Sequence, residues 1–474
     1  MARIAFGTDG WRGIMGRDFT LGNVRAVAQA IADYIVDHGL KSRGVFVGYD
    51  TRKLSRSFAD AVCAVMVENE ISTRVANRDL PTPVTAFEVL HRRAGGAVMI
   101  TASHNPPEWN GIKYIPDYAG PATPEITDEI TENITKVLRA GAVKTPTIGD
   151  DKPLLEQVDA TMPYIEFVER QIDKEAIKKA RLRIVCDVMH GTARGYLDQI
   201  LRRAGCEVAV MHAEVDPNFG GSRPEPLPAL LVDLKSRVIS TGANLGFATD
   251  GDADRLAVYD SDGAYMAANQ ILPILFDYIV KSGQHGGVVR TVATTHLVDR
   301  IAENYGLPFY EVPVGFKYVG QYLREKDVVI GAEESGGFGF KGHIPEKDGI
   351  FTCIKVAEMR AKTERPLSQL LDELQRKYGT HLSGRIGIPC PEALKQITIQ
   401  KVSSQIADRI MDTKVSNVNR TDGLKLILED GEWLLIRPSG TEPILRIYAE
   451  STDNERLRVL LDEGKNLIST VLQQ

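Results

Sequence analysis

Three segments of this chain repeat one rhythm of short apolar strand, amphipathic helix and returning strand, and this repetition confines the fold more than any other feature. Gly44–Gly48 reads as a strand, Ser55–Glu70 as a helix and Ser72–Val75 as the next strand. Arg183–Cys186, Gly195–Ala204 and Cys206–Met211 repeat the pattern. Val288–Val292, a helix through Asn304 and Phe309–Val312 give it a third time. Two of the helices close on Gly205 and Gly306, the residue type that ends a helix without a Cβ penalty. Apolar strands alternating with amphipathic helices imply α/β layers with mainly parallel, mixed sheets covered on both faces. Ligands of such sheets bind beyond the carboxyl ends of the strands.

The C-terminal part departs from this rhythm. Leu424–Leu428 and Trp433–Arg437 form an expected hairpin turned at Glu429-Asp430-Gly431, Gly384–Pro389 and Ile444–Glu450 read as further strands, and Asn454–Leu472 as a closing helix. That is an α+β module with antiparallel pairs. With 474 residues the chain exceeds what one core of about 250–300 residues can organise. Four domains are expected, at 1–150, 151–258, 259–375 and 376–474, with Thr145–Lys152 the clearest linker.

The amino terminus, Met1–Gly7, lacks the apolar core of a signal peptide, and the most apolar helical stretch, Ile271–Val280, contains Asp277 and is too short to span a bilayer. Cys63, Cys186, Cys206, Cys353 and Cys390 are scattered without paired spacing and read as buried small hydrophobes of a cytoplasmic protein. The net charge of −6 argues against nucleic acid as a partner, and nothing suggests a membrane. An anionic ligand needs a locally basic site.

Four loops carry chemistry. Thr101-Ala102-Ser103-His104-Asn105-Pro106 ends an apolar run, and Pro106 keeps Asn105 out of the helical region. Ser103 is expected as an exposed hydroxyl on a strand-to-turn corner, suited to a nucleophile or phosphate carrier, although alone such a run is most often an ordinary polar turn. Asp250-Gly251-Asp252-Ala253-Asp254-Arg255 follows a strand, and alternate carboxylates of an extended segment point one way, so that three converge on a hard cation. A calcium-binding EF-hand loop is excluded, because Arg255 and Ser261 stand where it needs Gly and Glu. Magnesium is the natural ion if a phosphate supplies further oxygens. Arg437-Pro438-Ser439-Gly440-Thr441-Glu442-Pro443 offers a guanidinium fork, two hydroxyls and backbone N–H groups to an anion, or is a surface turn between strands. Gly331-Ala332-Glu333-Glu334-Ser335-Gly336-Gly337 suits sugar hydroxyls, or is solvated scenery. Arg12 in a glycine-rich segment and Lys113 on the strand returning from the serine loop await context.

Taken in order, these four loops resemble those of the α-D-phosphohexomutase superfamily, the phosphoglucomutases and phosphomannomutases, over essentially the whole chain. The resemblance implies four domains around a central cleft, carrying in turn the phosphoserine, metal, sugar-recognition and phosphate-binding loops. It implies a phosphoserine at Ser103, Mg²⁺ held by Ser103, Asp250, Asp252 and Asp254, and glucose 1,6-bisphosphate as activator and intermediate. Arg12, His104, Lys113 and Arg255 match positions around the reacting group. Glu333 and Ser335 match sugar contacts, and Arg437, Ser439, Gly440 and Thr441 the grip on the phosphate not being transferred. Lys317, in Val314-Gly315-Phe316-Lys317, is available to substrate phosphate or sugar. The mannose/glucose branch tends to carry Met and His where this chain has Glu334 and Gly337; the form here is closer to phosphoglucomutases, with His343 the candidate to replace that missing His. The expected activity is interconversion of hexose 1-phosphate and 6-phosphate, glucose foremost, by a monomer or homodimer whose partners are small sugar phosphates. Mannose and glucosamine phosphates are the alternative substrates, and a sugar phosphatase or a non-catalytic sugar-phosphate-binding protein are the remote ones.

Overall fold

The computed structural model describes residues 4, 6–7, 10–141, 143–144, 154–405, 408–440 and 442–472. The expected linker at Thr145–Lys152 lies outside them. The described chain forms two compact units, one built from residues 1–267, 323–325 and 335–368, the other from 268–322, 326–334 and 369–474.

The first unit holds two sheets. In the first sheet the strand order is Trp11–Ile14, Trp109–Pro116, Gly96–Ile100, Val45–Tyr49, Thr73–Ala76, Leu155–Val158. Val45–Tyr49 pairs in parallel with both neighbours and is buried at every residue, as a central strand covered on two faces requires. Trp109–Pro116 runs antiparallel to Gly96–Ile100, with Ile100 opposite Ile112, so the serine loop is the connection of a hairpin. Gly48 lets the helix Thr82–Arg92 lie directly on the sheet, since a Cβ there would stand 2.3 Å from Thr85 Oγ1. The second sheet has the order Tyr265–Met266, Leu256–Asp260, Leu245–Thr249, Arg183–Asp187, Glu207–Met211. Its parallel core carries antiparallel strands on one side, and the aspartate loop connects Leu245–Thr249 to Leu256–Asp260. The helix expected from Gly195 begins only at Leu197, because the Asp198 carboxylate takes the Gly195 N–H at 2.6 Å and holds the preceding residues in turns. The helix Gly349–Thr363 packs on this second sheet although it follows the sugar loop in sequence.

In the second unit, Phe309–Val312, Gly287–Thr291 and Val328–Ala332 pair in parallel, with the helix Leu297–Tyr305 ending on Gly306 in the left-handed region. An antiparallel sheet follows in the order Leu382–Pro389, Ile444–Ser451, Trp433–Pro438, Leu424–Leu428, Thr413–Asn419, Arg409–Ile410. The expected hairpin is present, with Ile427 opposite Trp433. The helices Glu392–Ser404 and Asn454–Leu472 bury Leu434, Ile436, Leu445 and Ile447 on one face. On the other face Trp433, Leu435 and Tyr448 pack with Val292 and Ala293. All five cysteines are buried thiols. No described helix is long and apolar enough to cross a membrane.

Candidate active site

Ser103 sits at the first corner after Gly96–Ile100 with φ of +53°, a strained conformation for a side chain larger than Gly. Two groups hold it there. The Thr101 hydroxyl accepts its N–H at 2.8 Å, and the Arg52 guanidinium donates to the carbonyls of Ser103 (2.7 Å), Asn105 (2.6 Å), Pro106 (2.7 Å) and Trp109 (3.1 Å). Arg52 is buried, pairs with Asp50 at 3.2 Å and lies 4.9 Å from the Phe219 ring centre. The expectation of an exposed serine is corrected: Ser103 is 1 % exposed, because the aspartate loop lies directly on it. A Cβ on Gly251 would come within 2.8 Å of the Ser103 carbonyl oxygen. Ser103 Oγ donates to Asp250 Oδ2 at 2.9 Å, and His104 Nδ1 stands 3.4 Å away.

The three aspartates converge, but not by the alternation of an extended strand. Ala253 adopts φ of +58° and its N–H returns to the Asp250 carbonyl at 3.1 Å, so the segment is a tight turn. One oxygen from each of Asp250, Asp252 and Asp254 lies within 4.8 Å of the others, all three side chains being buried. Asp252 Oδ2 accepts from Thr82 Oγ1 (2.7 Å) and Lys113 Nζ (2.9 Å), and Asp254 Oδ2 stands 3.3 Å from both Lys113 Nζ and Lys347 Nζ. Asp252 Oδ1 and Asp254 Oδ1 are buried without a hydrogen-bond partner. A buried carboxylate oxygen left unpaired is costly, and two of them beside a serine oxygen form an all-oxygen donor set that fits a hard divalent cation. Burial raises Asp250 well above the usual carboxylate range, reinforced by Asp254 and Asp252. Burial acts the same way on Asp252, but the Lys113 ammonium outweighs it and holds that carboxyl low.

The hairpin and the strand Trp11–Ile14 bring cations to the same place. Arg12 donates to Asn105 Oδ1 at 2.7 Å and pairs across the sheet with Gly111, while Arg255 Nε lies 3.8 Å from Asp254 Oδ1. Burial, with Arg255 and Arg12 nearby, pushes the His104 imidazole well below its ordinary range. Next to Lys347, Glu346 is buried and pushed up to about 7, chiefly by desolvation. Ser335 is half-buried beside the start of Leu256–Asp260, where Gly336 accepts the Leu256 N–H at 3.2 Å. The expected substrate role of His343 is corrected. Its Nε2 pairs with Asp348 at 2.8 Å, its Nδ1 meets Gln171 at 3.3 Å, and its ring stacks on Phe351 at 4.0 Å. With both nitrogens engaged and no exposed side chain, it is a core residue that steadies the Asp348 cap of the helix Gly349–Thr363.

The second unit gathers the remaining predicted residues except Thr441, which lies outside the described residues. Glu333 Oε1 accepts the Gly315 N–H at 2.9 Å, two residues before Lys317. Asp422 Oδ2 accepts from Val314 N–H (3.0 Å) and from Arg437 Nε (3.0 Å), so one carboxylate ties the Lys317 loop to the turn that follows Arg437. Ser439 departs from expectation: it is buried, and its hydroxyl oxygen accepts the Glu442 N–H at 3.2 Å, shaping the turn from inside. Lys395, also buried, donates to the Ser439 and Glu442 carbonyls at 2.7 Å each, while Gly440 is exposed with open space around its Cα. Thr82, Arg52, Lys347, Asp422 and Lys395 were not singled out from sequence. Most lie far along the chain from what they hold: Thr82 is 170 residues from Asp252, Arg52 51 from Ser103 and Lys395 44 from Ser439.

Models of four consecutive domains of one family match this chain: phosphoglucomutase/phosphomannomutase α/β/α domains I, II and III over residues 3–140, 162–263 and 267–378, and the C-terminal domain over 359–465. The chain belongs to the phosphoglucomutase/phosphomannomutase family. A phosphoglucomutase/phosphomannomutase of Thermococcus kodakarensis is 32% identical over 471 residues, 99% of each chain. A probable phosphoglucosamine mutase of Methanothermobacter thermautotrophicus is 33% identical over 469 residues, 98% of each. A crystal structure from Thermus thermophilus, assigned as a phosphomannomutase, superposes with a TM-score of 0.86 at 30% identity, covering 99% of both chains. The protein is an enzyme, a phosphohexomutase, and its aspartate loop is consistent with magnesium binding in this family.

Proposed function

We propose that this phosphohexomutase interconverts α-D-glucose 1-phosphate and glucose 6-phosphate, with Ser103 as the phosphate carrier. One observation carries the reading. Ser103 Oγ is hydrogen-bonded to a buried aspartate whose two companions converge with it and retain unpartnered oxygens, amid Arg12, Lys113, Arg255 and Lys347. A hydrolase would use the serine as a transient nucleophile; this density of cations and hard oxygen ligands suits a phosphate that stays.

Asp250, Asp252, Asp254 and an oxygen on Ser103 would hold Mg²⁺, which when bound supplies neutralising charge for phosphoryl transfer. The protein's own groups do the rest. The Arg52 clamp fixes the serine loop, and Arg12 and Lys113 offset phosphate charge. As a sugar hydroxyl oxygen bonds to phosphorus, the bond from phosphorus to Ser103 Oγ breaks, and the hydroxyl proton passes to a flanking group, His104 Nδ1 standing 3.4 Å from Ser103 Oγ. In this reading the bisphosphate formed returns its other phosphate to Ser103. Glu333, Ser335 and Lys317 would recognise the sugar, and Arg437, the N–H of Gly440 and Thr441 the phosphate not being transferred. Glu334 and Gly337 in the sugar loop support glucose over mannose.

The test is a coupled assay over glucose, mannose and glucosamine 1-phosphates with Mg²⁺ and catalytic glucose 1,6-bisphosphate. Glucose 1-phosphate is expected to give the highest kcat/KM. Faster turnover of glucosamine 1-phosphate, the substrate class named for the Methanothermobacter relative, would replace the glucose assignment.

A further inference from the structure

We propose that Thr82 is a positioning residue for the cation site, setting the orientation of the Asp252 carboxylate. The inference rests on the metal reading of the aspartate loop given above. Thr82 is the first residue of the helix Thr82–Arg92, between Pro81 and Pro83, and is fully buried. The N–H groups of a first helical turn have no partner within the helix, and the Pro81 cap has no side-chain acceptor to offer them. Here both donors point elsewhere. Thr82 N–H donates to the Asp252 carbonyl at 2.9 Å, and Thr82 Oγ1 donates to Asp252 Oδ2 at 2.7 Å, across 170 residues. One residue thus grips both the backbone and the side chain of one metal-loop aspartate.

Charge compensation does not require this grip, because Lys113 Nζ already lies 2.9 Å from the same oxygen. What the hydroxyl adds is direction. An ammonium is a point charge on a flexible stem, whereas the threonine side chain is stiff at χ1 and its single donor fixes the rotation of the carboxylate plane. With Oδ2 held twice, Oδ1 is the oxygen left without a partner, and the geometry assigns it to the cation. Groups that orient a metal ligand in this way typically change metal affinity by about 10–100-fold when removed.

The experiment measures Mn²⁺ binding to the full-length dephosphorylated chain by electron paramagnetic resonance of free Mn²⁺, with thermal unfolding recorded alongside. Four proteins are compared: wild type, Thr82→Val, Thr82→Ser and Thr85→Val. Thr85 lies one turn along the same helix, is equally buried, and among the described residues its hydroxyl bonds to Pro81 O and Met99 Sδ and to no carboxylate, so it reports the cost of deleting a buried hydroxyl as such. Thr82→Val is expected to weaken Mn²⁺ binding by about 10–100-fold, with Thr82→Ser and Thr85→Val within about threefold of wild type. Unchanged affinity in Thr82→Val, or an equal loss in Thr85→Val, would overturn the assignment while leaving the metal site intact. Failure of the wild type itself to bind Mn²⁺ would remove the metal reading and this inference with it.

Discussion

Ser103 Oγ and Asp250 Oδ2 are joined by a 2.9 Å hydrogen bond across 147 residues, so the serine loop and the aspartate loop form one local structure. Replacing Ser103 by Ala deletes the carrier oxygen and keeps the backbone. Isomerase activity is expected to fall by at least about 1,000-fold, with no phosphoprotein on mass spectrometry and unchanged unfolding temperature. Retained activity would refute the proposed chemistry.

Gly251 keeps these two loops in register, since any Cβ there would meet the Ser103 carbonyl at 2.8 Å. Backbone, not a pliable side chain, would have to yield. Gly251→Ala is expected to lower kcat by about 100-fold, the cost of misplacing a reacting group by about an ångström. Steady-state kinetics with wild-type-like kcat would show that the loops tolerate separation.

Lys113 is a buried ammonium shared by Asp252 and Asp254. Its replacement by Met leaves buried Asp252 with the Thr82 hydroxyl but no ammonium, and breaking a buried ion pair typically costs about 3–5 kcal/mol. Urea unfolding in EDTA should show a destabilisation of that order, and saturating Mg²⁺ should recover part of it.

The second unit contains a buried network that makes its stability sensitive to acid. His296 Nε2 lies 2.8 Å from Lys425 Nζ and 3.7 Å from Glu311 Oε2, the His296 backbone N–H donates to Glu450 Oε1 at 3.0 Å, and Arg290 pairs with Glu311. Burial, then Arg290 and Lys425, push the imidazole from 6.5 down to about 4. Between those values the unfolded chain takes up a proton that the folded chain refuses, so stability falls as pH drops from 6.5 toward 4, by up to about 3 kcal/mol. His296→Gln keeps an acceptor for Lys425 but cannot titrate. Urea unfolding at pH 4.5 to 7 should show a markedly shallower pH dependence in this variant, and an identical slope would assign the acid sensitivity to other groups.

Arg437 is fixed by Asp422 at the end of Trp433–Pro438, and its side chain is 13% exposed. If it grips the phosphate not being transferred, Arg437→Ala should raise KM for glucose 1-phosphate by about 10–100-fold with a smaller change in kcat. A change confined to kcat would place Arg437 at the reacting phosphate instead.

Local patterning carried most of the architecture. The strand Phe309–Val312, the hairpin around Glu429–Gly431 and the helix Asn454–Leu472 are legible because burial of one face writes its period into neighbouring residues. The aspartate triplet was legible as a motif, but the geometric reason offered for its convergence was not the operative one: Ala253 at φ +58° closes a turn that alternation could not produce. The burial of Ser103, the core placement of His343 and the inward hydroxyl of Ser439 depend on partners far along the chain, and no local pattern encodes those. Thr82, Arg52 and Lys395 were invisible for the same reason, each being an ordinary polar residue until the fold gives it carbonyls or carboxylates to hold.

Lys113 and Lys347 bring two ammonium groups to the aspartate loop from within the chain itself. The loop therefore has its own internal counter-ions, and folding does not have to wait for a metal. If the loop holds Mg²⁺ as proposed, depleting the ion is then expected to lower activity and not the amount of folded protein.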